Sequence, residues 1–401
     1  MKYAIILPDG ASDEALPQLG GRTPLEAAHI PHMDSLAREG RLGRVVTVPQ
    51  GFTPGTDVGT LTLMGYDPAR YWAGRAPMEA TARGLSTTPD QLIFRCNFVH
   101  IADGRMKDFT AGHIGQEDGG ELIAALNATV FPGERCAFHQ GVSYRNLMFL
   151  AEGAGLRLEC APPHDIADQP VDLHGPRGEG HERVRAIMAR AHELLADHPV
   201  NRRRRARGEA WATDIWFWGQ GVQVPLPSLQ SRFGLRGALI TAVDILRGIG
   251  VGMGLDLIAV PGATGYIDTD YAAKGRAAVR ALDDYDVVVV HVEAPDEAAH
   301  QGMADEKVKA LERIDEAVLG PLLDALRARG EYRILVAPDH ATLVRSKAHD
   351  ALPPPFCYAG TGVGPGSGRP FSEPEAAAAG LLLDPGHTLL EAFLGRPGPG
   401  L

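Results

Sequence analysis

Three aspartates follow short apolar runs of the sequence, at points where buried strands would end. Asp9 comes after "YAIIL", Asp296 after "DVVVVHVEAP" and Asp339 after "RILVAP". In open α/β sheets, ligands gather outside the carboxyl ends of the strands, so we expect these carboxylates to converge. Three like charges at close range destabilise one another unless a cation compensates them. The placement therefore predicts a cation site.

Three histidines accompany these carboxylates. His300 lies four residues after Asp296, which puts both side chains on one face of a helix. His340 directly follows Asp339, and His349 comes nine residues after His340. Taken singly, such an aspartate is more often a helix cap, and such a histidine an ordinary core or surface residue. Together they predict a metal site, because mixed carboxylate and imidazole ligands suit Mn²⁺, Zn²⁺ or Fe, with Mg²⁺ at an oxygen-rich position.

A candidate nucleophile lies in the stretch "GFTPGTDVGTLTLMGYDP". Its glycine-rich half leads into an apolar helical pattern, and Thr56 would stand at the N-terminus of that helix. Free N–H groups and the positive end of the helix dipole favour an anion there. A threonine hydroxyl beside a metal ion loses its proton more easily and can attack phosphorus. The alternative role for Thr56 is that of a simple helix N-cap.

The elements that would position these residues alternate along the chain. Near-continuous apolar runs predict strands buried on both faces at 2–7, 237–241, 256–260, 286–292, 333–337 and 355–360. Helical patterns lie between them, such as "TPLEAAHIPHMDSLAREG", with a Thr cap, a Pro at the first helical position and a closing Gly. Two more are "YAAKGRAAVRALDD" and "KVKALERIDEAVLGPLLDALRARG". The alternation predicts an α/β fold with a mostly parallel sheet flanked by helices.

The stretch 84–170 has a different character. It is rich in turns and contains segments such as "IFRCNFVHI", which indicates a smaller α+β unit inserted into the first fold. We therefore expect a core formed by 1–83 and 171–401, with hinges near 82–86 and 165–175. A long amphipathic helix is predicted at 181–197, and "GRPGPGL" at the C-terminus is predicted to be a frayed tail.

Composition narrows the function classes. The chain has 401 residues and a net charge of -11, which makes it a poor general nucleic-acid binder, and the basic run "NRRRRARG" is too short to reverse this. The four cysteines have no CxxC spacing and predict neither disulfides nor a zinc finger. Apolar stretches stay well short of the roughly 20 residues of a membrane span. We expect a cytoplasmic protein without nucleic-acid or membrane partners, and the oligomeric state stays open.

Several ordered motifs resemble a known family. "PDG", "PGTDVGTLTLMGYDP", "EAPDEAAH" and "PDH" with a later His are similar to the archaeal-type 2,3-bisphosphoglycerate-independent phosphoglycerate mutases of the alkaline phosphatase superfamily. The resemblance implies an alkaline-phosphatase-like core, a substrate lid at 84–170 and two divalent ions, Mn²⁺ first, with Zn²⁺, Mg²⁺ or Co²⁺ as alternatives. One ion would take Asp9, Thr56, Asp339 and His340, and the other Asp296, His300 and His349.

The resemblance also implies a small phosphorylated hydroxy acid as substrate. Thr56 would take the phosphoryl group from 3-phosphoglycerate and return it to the 2-hydroxyl of glycerate, while the lid excludes water. Arg95 and His113 are candidate catalytic residues. The candidate substrate-binding residues are Arg75, Asn97, Arg105, Arg145, Arg202 and Lys274. Each arginine, taken alone, could equally be a solubilising surface charge.

Two features differ from the family pattern. Thr56 stands where the family usually has Ser, and "IWFWGQG" at 215–221 replaces an Arg-Gly pair and resembles a bacterial branch proposed to act as homoserine kinases. Three hypotheses follow. The first is a metal-dependent phosphoglycerate mutase. The second is a phosphotransferase acting on another small hydroxy compound such as homoserine, and the third is a metal-binding protein with a degraded site.

Overall fold

The chain forms two compact units. A computed structural model describes residues 1–396, so most of the predicted C-terminal tail lies outside the described residues. One unit, the core unit, comprises Met1–Trp72 and the chain from Pro225 onward. The other, the inserted unit, is Ala73–Val224. Within residues 1–396, no helix combines the length and apolar character needed to cross a membrane.

The strands of the described residues are β1 Lys2–Pro8, β2 Arg41–Val45, β3 Leu92–Ala102, β4 Arg105–Asp108, β5 Cys136–His139, β6 Arg145–Leu150, β7 Arg157–Glu159, β8 Arg177–Glu179, β9 Asp214–Gly221, β10 Gly237–Ile240, β11 Asp256–Leu257, β12 Val287–Val292, β13 Tyr332–Val336, β14 Ala341–Leu343, β15 Ala348–Asp350, β16 Pro355–Gly360 and β17 Leu382–Leu383.

The α-helices of the same residues are α1 Pro24–Ala27, α2 Pro31–Glu39, α3 Thr56–Leu63, α4 Pro68–Tyr71, α5 Arg75–Ala82, α6 Gln116–Ala128, α7 His181–Ala196, α8 Pro199–Ala206, α9 Leu229–Phe233, α10 Asp244–Gly252, α11 Tyr271–Asp284, α12 Ala294–Gln301, α13 Ala304–Ile314, α14 Gly320–Arg329, α15 Glu373–Ala378 and α16 Leu389–Leu394. Short 3₁₀ turns lie at Pro17–Leu19, Pro163–Ile166, Val171–Leu173 and Gly386–Thr388, and a π-helical turn at Asp315–Leu319.

The core unit is built on one large sheet. In the described chain its strand order is β11-β10-β12-β1-β13-β16-β2-β17, with β1 parallel to both β12 and β13. All six residues of β12 are buried, as expected for a strand covered by helices on both faces. The predicted α/β fold with a mostly parallel sheet is confirmed. One strand differs in direction: β16 runs antiparallel to β13 and to β2.

Three predicted elements of the core unit differ in detail. The predicted first helix is split into α1 and α2, because Pro31 has no N–H to continue α1; Thr23 does cap α1 through a capping box. The long pattern after 307 is interrupted by the π-helical turn Asp315–Leu319. The strand predicted at 256–260 is reduced to Asp256–Leu257 at the edge of the sheet.

The inserted unit is built on an antiparallel sheet with helices α6 and α7 on one face and the shorter α5 on the other. The long strand β3 pairs with β4, β6 and β9. Alternate residues of β3 (Phe94, Cys96 and Phe98) pack with α6 and α7 in one apolar core. On the opposite face, Ile93 packs with α5 at one end, and Val99 packs with Trp216 and Trp218 at the other.

The predicted boundaries 84–170 of the inserted unit are too narrow. The unit starts at Ala73 because α5 packs on β3, and it extends to Val224 because β9 pairs with β3 from Ile93 to Val99. The helix predicted at 181–197 is present as α7, but it belongs to this unit rather than to the core. The two junctions therefore lie at 72/73 and 224/225, not at 82–86 and 165–175.

Candidate active site

Asp9 lies at the carboxyl end of β1 and is completely buried. Its Oδ2 is 3.0 Å from His291 Nε2. Its Oδ1 lies 3.2 Å from His340 Nε2, but without the geometry of a hydrogen bond. Burial, and then the charge of Asp296, raises the pKa of Asp9 to about 7. The protein alone therefore does not stabilise a negative charge here at neutral pH.

Asp339 follows β13 and shares this environment. Its Oδ1 accepts hydrogen bonds from the backbone N–H groups of Gly10 and His340. Its Oδ2 is buried and, among the described residues, has no hydrogen-bond partner. Burial, and then the charge of Asp9, raises the pKa of Asp339 to about 7. Two unsatisfied carboxylate oxygens within ligand reach of His340 fit a divalent cation.

A second group contains Asp296, His300 and His349. Asp296 Oδ2 is 3.1 Å from His300 Nε2, and Asp296 Oδ1 is 3.5 Å from His349 Nε2. The two imidazole Nε2 atoms lie only 2.9 Å apart. The hydrogen bond to Asp296 raises the pKa of His300 to about 9. Burial opposes ionisation of Asp296, but its hydrogen bonds to both histidines lower its pKa below the ordinary value.

The outer nitrogens of these two histidines contact backbone carbonyls. His300 Nδ1 lies 3.0 Å from the carbonyl oxygen of Lys347, and His349 Nδ1 lies 3.2 Å from that of Pro54. A carbonyl can only accept, so both rings carry their proton on Nδ1 when neutral. Each Nε2 then presents a lone pair to the same space, which is the arrangement of histidine ligands around a metal.

Thr56 is the first residue of α3. Gly55 occupies the N-cap position, so Thr56 is not the cap of this helix. Its Oγ1 lies 3.4 Å from Asp9 Oδ2 and 3.3 Å from His340 Nε2. Helix α3 can approach the loop after β13 this closely because Gly59 has no β-carbon. A β-carbon at this position would overlap the carbonyl oxygen of Asp339.

His291 and Glu293 were not identified from the sequence. With Asp9 they form a further group of closely spaced potential ligands. Glu293 Oε2 is buried and has no hydrogen-bond partner among residues 1–396, and burial raises the pKa of Glu293. A signal existed in the run "DVVVVHVEAP", where His291 interrupts a series of buried valines and Glu293 follows at the strand period of two.

Lys274, predicted to bind substrate, is fully buried on α11. Its Nζ donates to the carbonyl oxygen of His291 at 3.1 Å, and burial lowers its pKa to about 8. The structure thus places this amine against the backbone of β12. A contact with substrate stays a prediction.

The inserted unit brings four of the predicted residues together on its open sheet face. Arg95 and Asn97 alternate along β3, and Arg145 lies opposite Asn97 on β6. Arg75, at the start of α5, is close enough to Arg95 to lower the pKa of that guanidinium, after the larger effect of burial. This cationic patch is defined by Arg75, Arg95, Asn97 and Arg145.

His164 adjoins the cationic patch and was not identified as a site residue from the sequence. Its ring contacts Trp218 at 5.2 Å between centroids. Burial, and then the charges of Arg75, Arg95 and Arg145, lowers the pKa of His164, against the opposing effect of Asp165.

Three other predicted residues have different surroundings. Arg105 donates to the carbonyl oxygen of Asp168 at the far end of β3. Arg202 is exposed and pairs with Asp197 at 3.0 Å, on a helix that packs on the opposite sheet face through Val200. His113 packs against the Tyr144 ring at 6.0 Å. Sequence spacing did not show these positions, because each depends on which sheet face its element covers.

Comparison with known proteins agrees with this geometry. The fold and site define an α/β protein with clustered carboxylate and imidazole groups that could hold a metal ion, beside a helix N-terminal hydroxyl. The family model described as 2,3-bisphosphoglycerate-independent phosphoglycerate mutase matches residues 37–201. The chain belongs to this family, as its relatives show over nearly its whole length.

A protein of that name from Methanothrix thermoacetophila is 47% identical and covers 98% of this chain and 100% of its own. A probable 2,3-bisphosphoglycerate-independent phosphoglycerate mutase from Geobacter sulfurreducens is 44% identical, with 99% and 100% covered. The solved structure of a cofactor-independent phosphoglycerate mutase from Thermoplasma acidophilum superposes with a TM-score of 0.70 at 25% identity, covering 98% of this chain and 99% of that one.

Proposed function

We propose that this chain interconverts 3-phosphoglycerate and 2-phosphoglycerate through a phosphothreonine at Thr56. The observation that carries the proposal is the position of Thr56 Oγ1, within 3.4 Å of Asp9 and 3.3 Å of His340 at the N-terminus of α3. The N–H groups of the first helical turn have no partners within the helix and favour a phosphoryl group there.

Two divalent ions, Mn²⁺ by first choice and Zn²⁺, Mg²⁺ or Co²⁺ as alternatives, complete the proposed site. Asp9, Asp339 and His340 would hold one with Thr56, and Asp296, His300 and His349 would hold the other. The unsatisfied oxygens of Asp9 and Asp339 support this assignment. When bound, such ions supply positive charge against the phosphoryl oxygens and favour ionisation of a nearby hydroxyl.

In the proposed reaction, Thr56 Oγ1 loses its proton and attacks the phosphorus of 3-phosphoglycerate, the bond from phosphorus to the 3-oxygen breaks, and that oxygen takes up a proton to become the 3-hydroxyl of glycerate. The glycerate then turns, and its 2-hydroxyl loses a proton and bonds to the phosphorus while the bond from phosphorus to Thr56 Oγ1 breaks and Oγ1 regains a proton. The cationic patch of the inserted unit carries charges that would attract an anionic substrate. Water must be excluded meanwhile, because the phosphothreonine would otherwise be hydrolysed.

Four free cysteines support a reducing compartment such as the cytoplasm.

The test is an assay of the Mn²⁺-loaded protein on 3-phosphoglycerate, run beside homoserine with ATP. We expect 2-phosphoglycerate as product, a trapped phosphoryl group on Thr56 and two ions per chain by elemental analysis. Phosphorylation of homoserine without mutase turnover would favour the second hypothesis. Loss of all transfer despite bound metal would favour the third.

A further inference from the structure

Trp218, in the "WGQG" segment of β9, lies beside the cationic patch. It is buried, and its position depends on an irregularity in the pairing of β9 with β3. Ile93 and Arg95 are two residues apart on β3, whereas their partners Gly221 and Trp218 are three apart on β9. This is a β-bulge, and Gly219 within it has a φ of 58°, where glycine is favoured. Bulges of this kind redirect side chains next to functional sites.

The indole N–H of Trp218 determines which way the Asn97 amide is turned. Trp218 Nε1 lies 3.1 Å from Asn97 Oδ1. An indole nitrogen can only donate, so its partner must be the amide oxygen. Within the described residues, Asn97 Nδ2 makes no hydrogen bond, and this atom is not completely shielded from solvent. The group that Asn97 has available for a ligand is therefore its side-chain NH2, whose two N–H donors fit an acceptor oxygen.

The ring of Trp218 also restrains Arg95. The guanidinium carbon of Arg95 lies 4.8 Å from the ring centroid, and Arg95 Nε donates to Glu79 Oε2 at 2.8 Å. Stacking on one side and an ion pair on the other fix the plane of the guanidinium. Its terminal nitrogens make no hydrogen bond to any described residue. They remain donors on the same strand face as Asn97.

The charges around Arg95 and Asn97 indicate the chemical class of the ligand that these two residues bind. Arg75 and Arg145 add two positive charges, and Glu79 is the acidic side chain paired with Arg95. A planar guanidinium and an amide donor side by side match the two oxygens of a carboxylate. A ligand ammonium group would be repelled by the three arginines.

We propose that Trp218 is a positioning residue that turns Asn97 into a donor and fixes Arg95, so that the two together bind the carboxylate of a small hydroxy acid. For the identity of that acid the inference rests on the proposed function, since 3-phosphoglycerate is the probe. In this role Asn97 donates to a carboxylate oxygen.

The test compares two tryptophan variants of the full-length, Mn²⁺-loaded protein. Trp218→Phe keeps a ring beside Arg95 but removes the N–H to Asn97. Trp216→Phe is the matched control, because Trp216 lies two residues away on the same strand face and donates instead to the carbonyl oxygen of Ala161 at 2.8 Å. Dissociation constants for 3-phosphoglycerate are measured by calorimetry, and KM, kcat and thermal midpoints are measured separately.

We expect Trp218→Phe to weaken 3-phosphoglycerate binding about three- to tenfold, the size of one lost hydrogen bond, with the same rise in KM and little change in kcat. Trp216→Phe should lower the thermal midpoint but change binding less than about twofold. In an Asn97→Ala background, Trp218→Phe should have almost no further effect on binding, because the residue it positions is gone.

Four outcomes of the binding measurements decide the inference, and none of them requires mutase turnover. Wild-type binding by Trp218→Phe, or an equal loss in the presence and absence of Asn97, overturns it even if mutase activity is found. An Asn97-dependent loss of binding supports it even if the protein has no mutase turnover. Failure of the wild-type protein to bind 3-phosphoglycerate overturns both this inference and the proposed function.

Discussion

Thr56 Oγ1 lies 3.3 Å from His340 Nε2, although the two residues are 284 positions apart in the chain. They meet because the N-terminus of α3 packs directly against the loop after β13. The absence of a side chain at Gly59 permits that contact with the backbone of Asp339. A hydroxyl, an imidazole and two carboxylates are thereby brought together at the carboxyl ends of β1 and β13.

Replacing Thr56 tests the proposed nucleophile. Thr56→Ala should abolish phosphoryl transfer and phosphoenzyme formation, because the covalent route needs the hydroxyl. The cost in stability should be within about 1 kcal/mol, since Thr56 is half-buried and does not cap its helix. Thr56→Ser keeps the hydroxyl and should keep transfer. Turnover of 3-phosphoglycerate and trapping of the phosphoenzyme are the measurements.

Thr60→Val is the control for that series. Thr60 lies one turn along α3, and its buried Oγ1 has no hydrogen-bond partner among the described residues. Replacing it with an apolar group of similar shape should be neutral or slightly stabilising and should leave turnover intact. Wild-type turnover by Thr56→Ala would exclude the covalent mechanism.

Gly59→Ala tests the close approach of α3 to Asp339. The added methyl group would overlap the carbonyl oxygen of Asp339, so the helix and the loop must separate. We expect weaker Mn²⁺ binding and a loss of turnover of at least about tenfold, since small displacements of a positioned group cost orders of magnitude in rate. Gly265→Ala, which meets no atom within 4 Å, is the control. Equal Mn²⁺ affinity in both variants would show that the contact is dispensable.

Replacing Lys307 tests the contribution of the buried ion pair between Lys307 and Asp13 to stability. This fully buried lysine pairs with the fully buried Asp13 at 2.9 Å and donates to the carbonyl oxygens of Ser12 and Thr342. Lys307→Met leaves Asp13 buried without its partner and should destabilise the protein by about 3–5 kcal/mol. Denaturant unfolding measures this.

The surface lysine of the same helix supplies the comparison. Lys309 pairs with Glu306, and its side chain is 60% exposed. Lys309→Met should change the unfolding free energy by less than about 1 kcal/mol. The double change Lys307→Met with Asp13→Leu should cost less than Lys307→Met alone, because no buried charge is left unpaired. Similar effects at both lysines would contradict the assigned role of the buried pair.

Metal removal should make stability depend on pH. In the metal-free protein, Asp9 and Asp339 have pKa values raised from 3.8 to about 7, so the native state holds protons that the unfolded state has released between those values. Raising the pH through this window therefore lowers stability. His300, raised from 6.5 to about 9, contributes stability below pH 6.5 that is lost as the pH rises toward 9. Both effects act in the same direction.

Mn²⁺ should reverse this dependence, because metal ligands must be deprotonated. We expect the rise in thermal midpoint on adding Mn²⁺ to be larger at pH 8 than at pH 5.5, and smaller at both pH values in Asp339→Asn. Thermal scans of chelated and reloaded protein provide the measurement. A metal-induced shift that is the same at both pH values would argue against ligation by these carboxylates.

The sequence by itself determined the strands and the polar residues at their ends. Continuous apolar runs record burial on both faces, so β1, β12 and β13 and the placement of Asp9, Asp296 and Asp339 could be predicted without a structure. The helical spacing of Asp296 and His300 likewise brought their side chains within 3.1 Å. The motif order further indicated the family that the relatives establish.

Only the tertiary structure decided which distant segments pair. The apolar pattern of a strand indicates that the strand is buried, but not which strand it pairs with. The sequence therefore places the segment that forms β9 in the core, whereas in the structure this strand pairs with β3 in the inserted unit. For the same reason the sequence did not show that Lys274 contacts the backbone of β12, that His291 and Glu293 join Asp9, or that Trp218 takes the oxygen of Asn97. Each of these depends on contacts between side chains far apart in sequence, which packing of the whole chain creates.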